Sequence, residues 1–195
     1  MFEKLSNSIV KWLIKNNILK ECDYELYSYC MTGLIEMGFN IIITIIIGLI
    51  WSKVIESVIF LFIMIPLRSI AGGFHAESGA VCFVISILIY ITAIFISSIL
   101  KLENSITAII FVILLISVGS LTPVDSWHKK LDKKQKLKQR LSYVKLSAFI
   151  ILIFLILMLL NCKRLCVLID FIFLTVMILQ LLGSAKNKII EKNYR

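Results

Sequence analysis

The chain has 195 residues, of which 59% are hydrophobic and only 17% are charged, and its mean hydropathy is +0.96. This composition leaves too little polar surface for a water-soluble domain and predicts an all-α, polytopic integral membrane protein with one membrane domain over residues 1–195. The formal net charge of +9 favours anionic partners such as anionic lipids. Nucleic acid is not expected, because the sequence has no folded basic domain and few exposed aromatic residues for base stacking.

The first predicted element is an amphipathic helix, within residues 1–22, that lies in the membrane interface. Leu5, Ile9, Trp12 and Leu13 recur on one side at helical spacing, as in helices that insert one face among lipid headgroups. The other side carries Lys4, Ser8, Lys11 and Lys15. A solvated helical arm is the alternative interpretation.

A bundle of six membrane-spanning helices is predicted over residues 33–183. A helix needs roughly 20 apolar residues to cross a hydrocarbon core of ~30 Å. The predicted spans are Gly33–Trp51, Val54–Leu67, Ala80–Leu100, Ser105–Thr122, Leu146–Leu160 and Leu165–Gly183. The second is the shortest and ends next to Pro66, so a re-entrant segment competes with a full span there.

The distribution of cations predicts the orientation of these spans. With six crossings and cytoplasmic termini, all but four of the 21 Lys and Arg residues lie on the cytoplasmic side; the four are Lys53, Lys101, Lys163 and Arg164. This agrees with the positive-inside tendency, whereas a re-entrant second segment would place the most basic loop outside. The cytoplasmic side then holds the basic loop 125–145, the basic tail 184–195 and the segment 68–82.

The basic loop has two interpretations that are compatible with each other. In the first it is a solvated loop attracted to anionic lipid. In the second it is an electrostatic dock for an acidic peptide. The candidate docking residues are Lys129, Lys130, Lys133 and Lys134.

The segment "RSIAGGFHAESGAVC", residues 68–82, places chemically active residues between two apolar runs. Cys82 falls in the opening turns of the third span, and helix N-termini or nearby cations favour the reactive thiolate. His75 precedes it by seven residues, which on a straight helix is ~10 Å, too far for a hydrogen bond. A Cys–His pair therefore requires a turn, for which Gly72 and Gly73 supply the flexibility. The alternative is an interfacial histidine beside an unrelated buried thiol.

Arg68 begins this segment and also has two interpretations. It either ends the second span by reaching to the interface or acts on the chemistry, by stabilising a thiolate, a substrate carboxylate or an oxyanion. The backbone N–H groups of Gly72 and Gly73 would support the last role.

No cofactor and no metal site are predicted. The five cysteines are an odd number that does not indicate a disulfide framework, and neither histidine shows a metal-ligand spacing. Glu36 and Asp170 are acidic residues inside predicted spans to which the sequence assigns no chemistry.

The same segment closely resembles the signature of the AgrB family, the accessory gene regulator protein B membrane peptidases of quorum sensing. The resemblance extends over nearly the whole chain, although "SWHKKLD" stands where many members have an Asn-Lys-Pro sequence. It implies a cysteine endopeptidase that cleaves the C-terminal part of an AgrD-like precursor peptide and promotes its cyclisation to a thiolactone or lactone. It further implies Cys82 as nucleophile, His75 as general base and then acid, and Arg68 and Gly73 as residues needed for activity.

Two other functional classes remain open from the sequence. A small peptide or ion transporter would use Arg68 and His75 as coupling groups, although nearly pure aliphatic spans argue against a wet pathway. A membrane scaffold with a structural cysteine is the third class, and the sequence leaves homo-oligomerisation open.

Overall fold

A computed structural model describes residues 2–16, 18–19, 24–73, 79–124 and 132–193. In chain order the helices are α1 (Phe2–Lys15), α2 (Tyr24–Ile50), α3 (Val54–Ala71), α4 (Gly79–Ile99), α5 (Asn104–Leu121), α6 (Lys133–Leu159) and α7 (Lys163–Asn193). Helices α2 to α7 are each long and apolar enough to cross a membrane. The predicted all-α fold with six membrane-spanning helices is therefore confirmed.

Helix α1 is docked on the first turns of α2. The Ser6 hydroxyl donates to the carbonyl of Ser28 at 2.8 Å, and Ser6 and Val10 are completely buried. Leu5 and Trp12 stay exposed, as expected of an amphipathic helix whose apolar side faces the membrane interface. The helix is shorter than the predicted arm of residues 1–22, and α2 begins at Tyr24 instead of Gly33.

Helix α3 is one continuous helix despite Pro66. Its 18 residues extend ~27 Å at 1.5 Å per residue, close to the thickness of a hydrocarbon core. The short second run is thus a spanning helix, and the re-entrant interpretation is not supported.

Helix α7 forms the centre of the bundle. In its membrane-spanning window 56% of the residues are buried, against 11% in α2. Phe173 of α7 packs edge-to-face on Phe111 of α5 at 5.4 Å between ring centroids, and Phe111 stacks on Phe154 of α6 at 4.1 Å. The outer helix faces carry exposed aliphatic side chains, which suits a lipid surround because lipid does not penalise exposed apolar area.

In the predicted basic loop 125–145 the structure describes residues 132–145, and these are helical from Lys133 onward, which corrects the sequence interpretation for this part. Helix α6 begins at Lys133, after Asp132 and Gln135 form a reciprocal capping box. Lys, Gln, Leu and Arg have good helix propensity, so this polar stretch continues the membrane helix into the aqueous phase. The same holds for the predicted tail, since α7 continues to Asn193.

Candidate active site at the start of helix α4

The C-terminal end of α3 is a glycine turn held against the end of α5. Gly72 and Gly73 have φ angles of +71° and +115°, a region that residues with a side chain rarely adopt. The N–H of Val124 donates to the carbonyl of Ala71 at 3.0 Å, and Gly72 forms a parallel bridge with Val124. A Cβ atom on Gly72 would overlap the Val124 carbonyl oxygen. Glycine is therefore required here for both conformation and space.

A buried glutamine on α7 holds this turn in place through hydrogen bonds. Gln180 is completely buried, and its Nε2 donates to the carbonyl of Ala71 at 3.2 Å and to Thr122 Oγ1 at 3.0 Å. One side chain thus joins the ends of α3, α5 and α7. We call the set Ala71–Gly73, Thr122–Val124 and Gln180 the junction. Sequence reasoning missed Gln180, and a lone amide in the apolar run of α7 was the only available signal.

The Arg68 side chain turns back toward the junction. Its Nη1 donates to the carbonyl of Gly72, and a Cβ atom on Gly73 would lie 2.8 Å from Nη1 and 2.8 Å from the carbonyl oxygen of Leu179. The half-buried guanidinium also interacts electrostatically with Cys82. Arg68 therefore lies beside both the glycine turn and the Cys82 thiol.

Cys82 lies in the first turn of α4, as predicted. Its thiol is free and half-buried, and its carbonyl accepts a hydrogen bond from Ser86 Oγ at 2.9 Å. Two charged side chains from other helices interact with it electrostatically, Arg68 of α3 and Glu36 of α2. The structure thus brings together the cation and the thiol that stand at opposite ends of the segment 68–82.

Several predicted residues lie outside the described residues. They are His75, Lys129 and Lys130. The Cys–His pair stays a prediction. Lys133 and Lys134 are described, and both are exposed in the first turn of α6.

The described ranges contain no group of three or more His, Cys, Asp or Glu side chains arranged to hold a metal ion. Cys30, Cys162 and Cys166 are free thiols. Gly72, Gly73, Arg68 and Cys82 are therefore the described residues that bear on the predicted chemistry.

Comparison with known proteins identifies the family of the chain. The profile of the family described as Accessory gene regulator B matches residues 6–184. The chain belongs to the AgrB family. The match includes α2 to α6 in full and the junction, and membership supports a role in processing a quorum-sensing peptide.

Three relatives are similar to this chain over half or more of its length. The chain is 31% identical over 154 residues to a putative AgrB-like protein 2 of Clostridium perfringens strain 13, covering 73% of this chain and 72% of the relative. It is 31% identical over 166 residues to a putative AgrB-like protein of C. perfringens strain SM101, covering 79% and 75%. It is 26% identical over 127 residues to the protein FsrB of Enterococcus faecalis strain ATCC 47077 / OG1RF, covering 62% of this chain and 50% of that protein. No solved structure matches the chain.

Proposed function

We propose that this AgrB-family protein is a membrane cysteine endopeptidase that cleaves the C-terminal part of an AgrD-like precursor peptide and promotes its cyclisation. The observation that carries the proposal is the position of Arg68, whose guanidinium holds the Gly72 carbonyl and interacts with the Cys82 thiol. A cation beside a thiol stabilises the thiolate, the form that attacks carbonyl groups. Family membership supplies the substrate class.

In the proposed reaction His75 is the general base. It takes the proton from Cys82, and the thiolate forms a bond to a carbonyl carbon of the precursor. The C–N bond then breaks, and the imidazolium gives its proton to the leaving amine, so that the C-terminal part departs and a thioester remains on Cys82. A thiol or hydroxyl within the peptide next attacks the thioester carbonyl, and its proton passes to His75. The C–S bond to Cys82 then breaks, so that the Cys82 thiolate is regenerated and the released product is a thiolactone or a lactone.

Arg68 and the two glycines have a supporting role in this proposal. The junction holds the backbone of Gly72 and Gly73 in one conformation, next to a cation that would stabilise negative charge on the reacting carbonyl. A preorganised donor set of this kind loses little energy in reorganisation during the reaction. A site at the membrane edge that limits water would favour ring closure over hydrolysis.

We further propose that both termini and the active site face the cytoplasm of the cell membrane. The exposed Lys133 and Lys134, with Lys129 and Lys130, would then attract anionic lipids and an acidic part of the precursor. Arg140, farther along α6, donates to the carbonyl of Thr122 at 3.3 Å, so the basic half of α6 is attached to the junction.

The proposal is tested by co-expressing the chain with a short peptide, encoded beside its gene, that has an amphipathic start, an internal Cys or Ser and an acidic end. Cys82→Ala and His75→Ala should each abolish precursor cleavage on an immunoblot while the membrane level of the protein stays normal. Cys30→Ala is the matched control, because Cys30 is an exposed free thiol on α2, and it should cleave normally. Cleavage by Cys82→Ala would overturn the assignment.

A further inference from the structure

A groove on the outer surface of the bundle runs between α2, α3 and α6. Its volume is about 600 Å³, and the nine residues that line it are all apolar. Phe62 of α3 and Phe149 of α6 approach each other along it, with 6.1 Å between their ring centroids. Both rings are about half exposed, as is Val58, so the groove opens sideways toward the hydrocarbon of the membrane.

An acyl chain fits such a groove better than a peptide does. An extended peptide would bring N–H and C=O groups that need hydrogen-bond partners, and the lining offers no polar side chain. A helix satisfies its own backbone, but the groove has the volume of only about one turn of a helix ~10–12 Å in diameter. A hydrocarbon chain is narrower and needs no hydrogen bond. The groove therefore favours a lipid chain as its occupant.

Lys145 stands at one end of this groove. Leu146 and Phe149 line the groove from α6, and Lys145 lies one turn before Phe149, on the same face of the helix. Lys145 is exposed, and it is the last charged residue before the uncharged run 146–162, so its ammonium lies at the depth of the lipid headgroups. It forms no ion pair with the described residues.

The two ends of the groove differ in charge. The start of α6 and the end of α3 lie on the same side of the membrane, since Arg140 of α6 donates to the junction. Lys145 and Arg68 are therefore at the same end of the groove. At the opposite end the cation of α3, Lys53, is already paired with Glu56 at 3.2 Å. A negative headgroup is thus attracted to the end at Lys145.

We propose that the groove binds one anionic phospholipid, whose acyl chain lies between α2, α3 and α6 and whose phosphate contacts Lys145. The apolar lining by itself cannot choose among lipids, because the surrounding bilayer is equally apolar. A zwitterionic headgroup carries its own cation, which cancels part of the attraction to Lys145, so the site prefers a net negative headgroup. The site is distinct from the exposed lysines at the start of α6, since Lys134 is about 17 Å away along the helix. The inference goes beyond the proposed peptidase activity and does not depend on it.

Native mass spectrometry of the purified chain in detergent micelles tests the headgroup contact. Dioleoylphosphatidylglycerol should bind more tightly than dioleoylphosphatidylcholine. Lys145→Gln should raise the apparent Kd for phosphatidylglycerol about five-fold, and Lys145→Arg should keep it. Lys101→Gln is the matched control, because Lys101 is an exposed cation beside another span, and it should leave the Kd unchanged. Equal losses in both Gln variants would attribute binding to general charge attraction and overturn the site.

Val58→Trp tests the groove itself, because the indole fills it without changing the charge. It should raise the apparent Kd about five-fold or more for both lipids, since a filled groove excludes the acyl chain. Val112→Trp on α5 is the matched control, because Val112 is 52% exposed against 50% for Val58 but does not line the groove. Ile45→Phe fills the groove from α2 and serves if Val58→Trp does not accumulate in the membrane.

Two other occupants would give different results in the same variants. If a second copy of the chain covers the groove, Val58→Trp should convert dimers into monomers in the mass spectra without changing lipid binding. If the precursor peptide covers it, Val58→Trp should lower precursor cleavage while the Kd for phosphatidylglycerol stays unchanged. Either result would overturn the lipid site.

Discussion

Gln180 and Asp170 are two buried polar side chains on the same central helix that differ in the hydrogen bonds they make. They stand ten residues apart on α7, which is about 15 Å along the axis, and they are 0% and 6% exposed. The amide of Gln180 donates two hydrogen bonds that join three helices at the junction. Neither oxygen of Asp170 has a hydrogen-bond partner in the described part of the chain, and Oε1 of Gln180 also lacks one. The two residues therefore differ in the bonds that the Gln180 amide nitrogen donates.

This comparison distinguishes a buried polar side chain that orders the candidate site from one that only destabilises the helix bundle. Backbone that is not helical persists at membrane depth only where other groups satisfy its N–H and C=O. At the junction the Ala71 carbonyl accepts hydrogen bonds from both Val124 and Gln180. A buried carboxyl without a partner costs free energy and orders nothing around it. Three substitutions test this contrast.

The largest effect is expected from Gln180→Leu, which keeps the volume and removes both hydrogen bonds. We expect a loss of about 1–2 kcal/mol in the free energy of unfolding and a drop in precursor cleavage of about ten-fold, because the turn at Gly72 and Gly73 loses its anchor. Equilibrium unfolding in mixed detergent micelles measures the first, and a cleavage time course measures the second.

Thr175→Val is the control for that experiment. Thr175 is also buried on α7, but its hydroxyl donates only within its own helix, to the carbonyl of Phe171 at 2.8 Å. It should change cleavage by less than about two-fold. If both variants lose cleavage equally, Gln180 has no special role at the junction.

Asp170→Val should change the free energy of unfolding by less than Gln180→Leu does, and in the opposite direction. Replacing a buried carboxyl that has no partner with an apolar side chain should raise the free energy of unfolding by about 1 kcal/mol. Cleavage should be unaffected, since Asp170 lies away from the junction. Destabilisation, or loss of cleavage at normal protein level, would show that Asp170 has a functional partner.

The spanning helices are predictable because crossing a membrane depends on the apolar runs themselves. The start of α6 is not predicted, since charge alone suggests a loop from Lys133 to Lys145 although the helix propensity of these residues is high. Candidate site residues that are close in sequence are also easier to assign to one site. Arg68, Gly73 and Cys82 all fall within the single segment 68–82.

Contacts between distant parts of the chain are beyond sequence reasoning. Gln180 and Ala71 are 109 residues apart, and Glu36 reaches Gly79 from a different helix. Both contacts depend on which helix faces pack together, and the apolar pattern of nearly uniform aliphatic helices does not specify those faces. Glu36 is recognisable in the sequence as an acid inside a span, but its neighbour is not predictable.

A salt-dependent effect on cleavage is expected at the basic start of α6, outside the junction. Lys133→Gln with Lys134→Gln should lower precursor cleavage about three- to ten-fold at low ionic strength, because exposed charges contribute at most about 1 kcal/mol each. Salt screens such charges over ~10 Å at 0.1 M, so the difference from wild type should nearly vanish in high salt. Lys163→Gln with Arg164→Gln changes the net charge equally at the exposed start of α7 and should cleave like wild type at every ionic strength. An equal, salt-dependent loss in both pairs would attribute the effect to total charge and rule out a dock on α6.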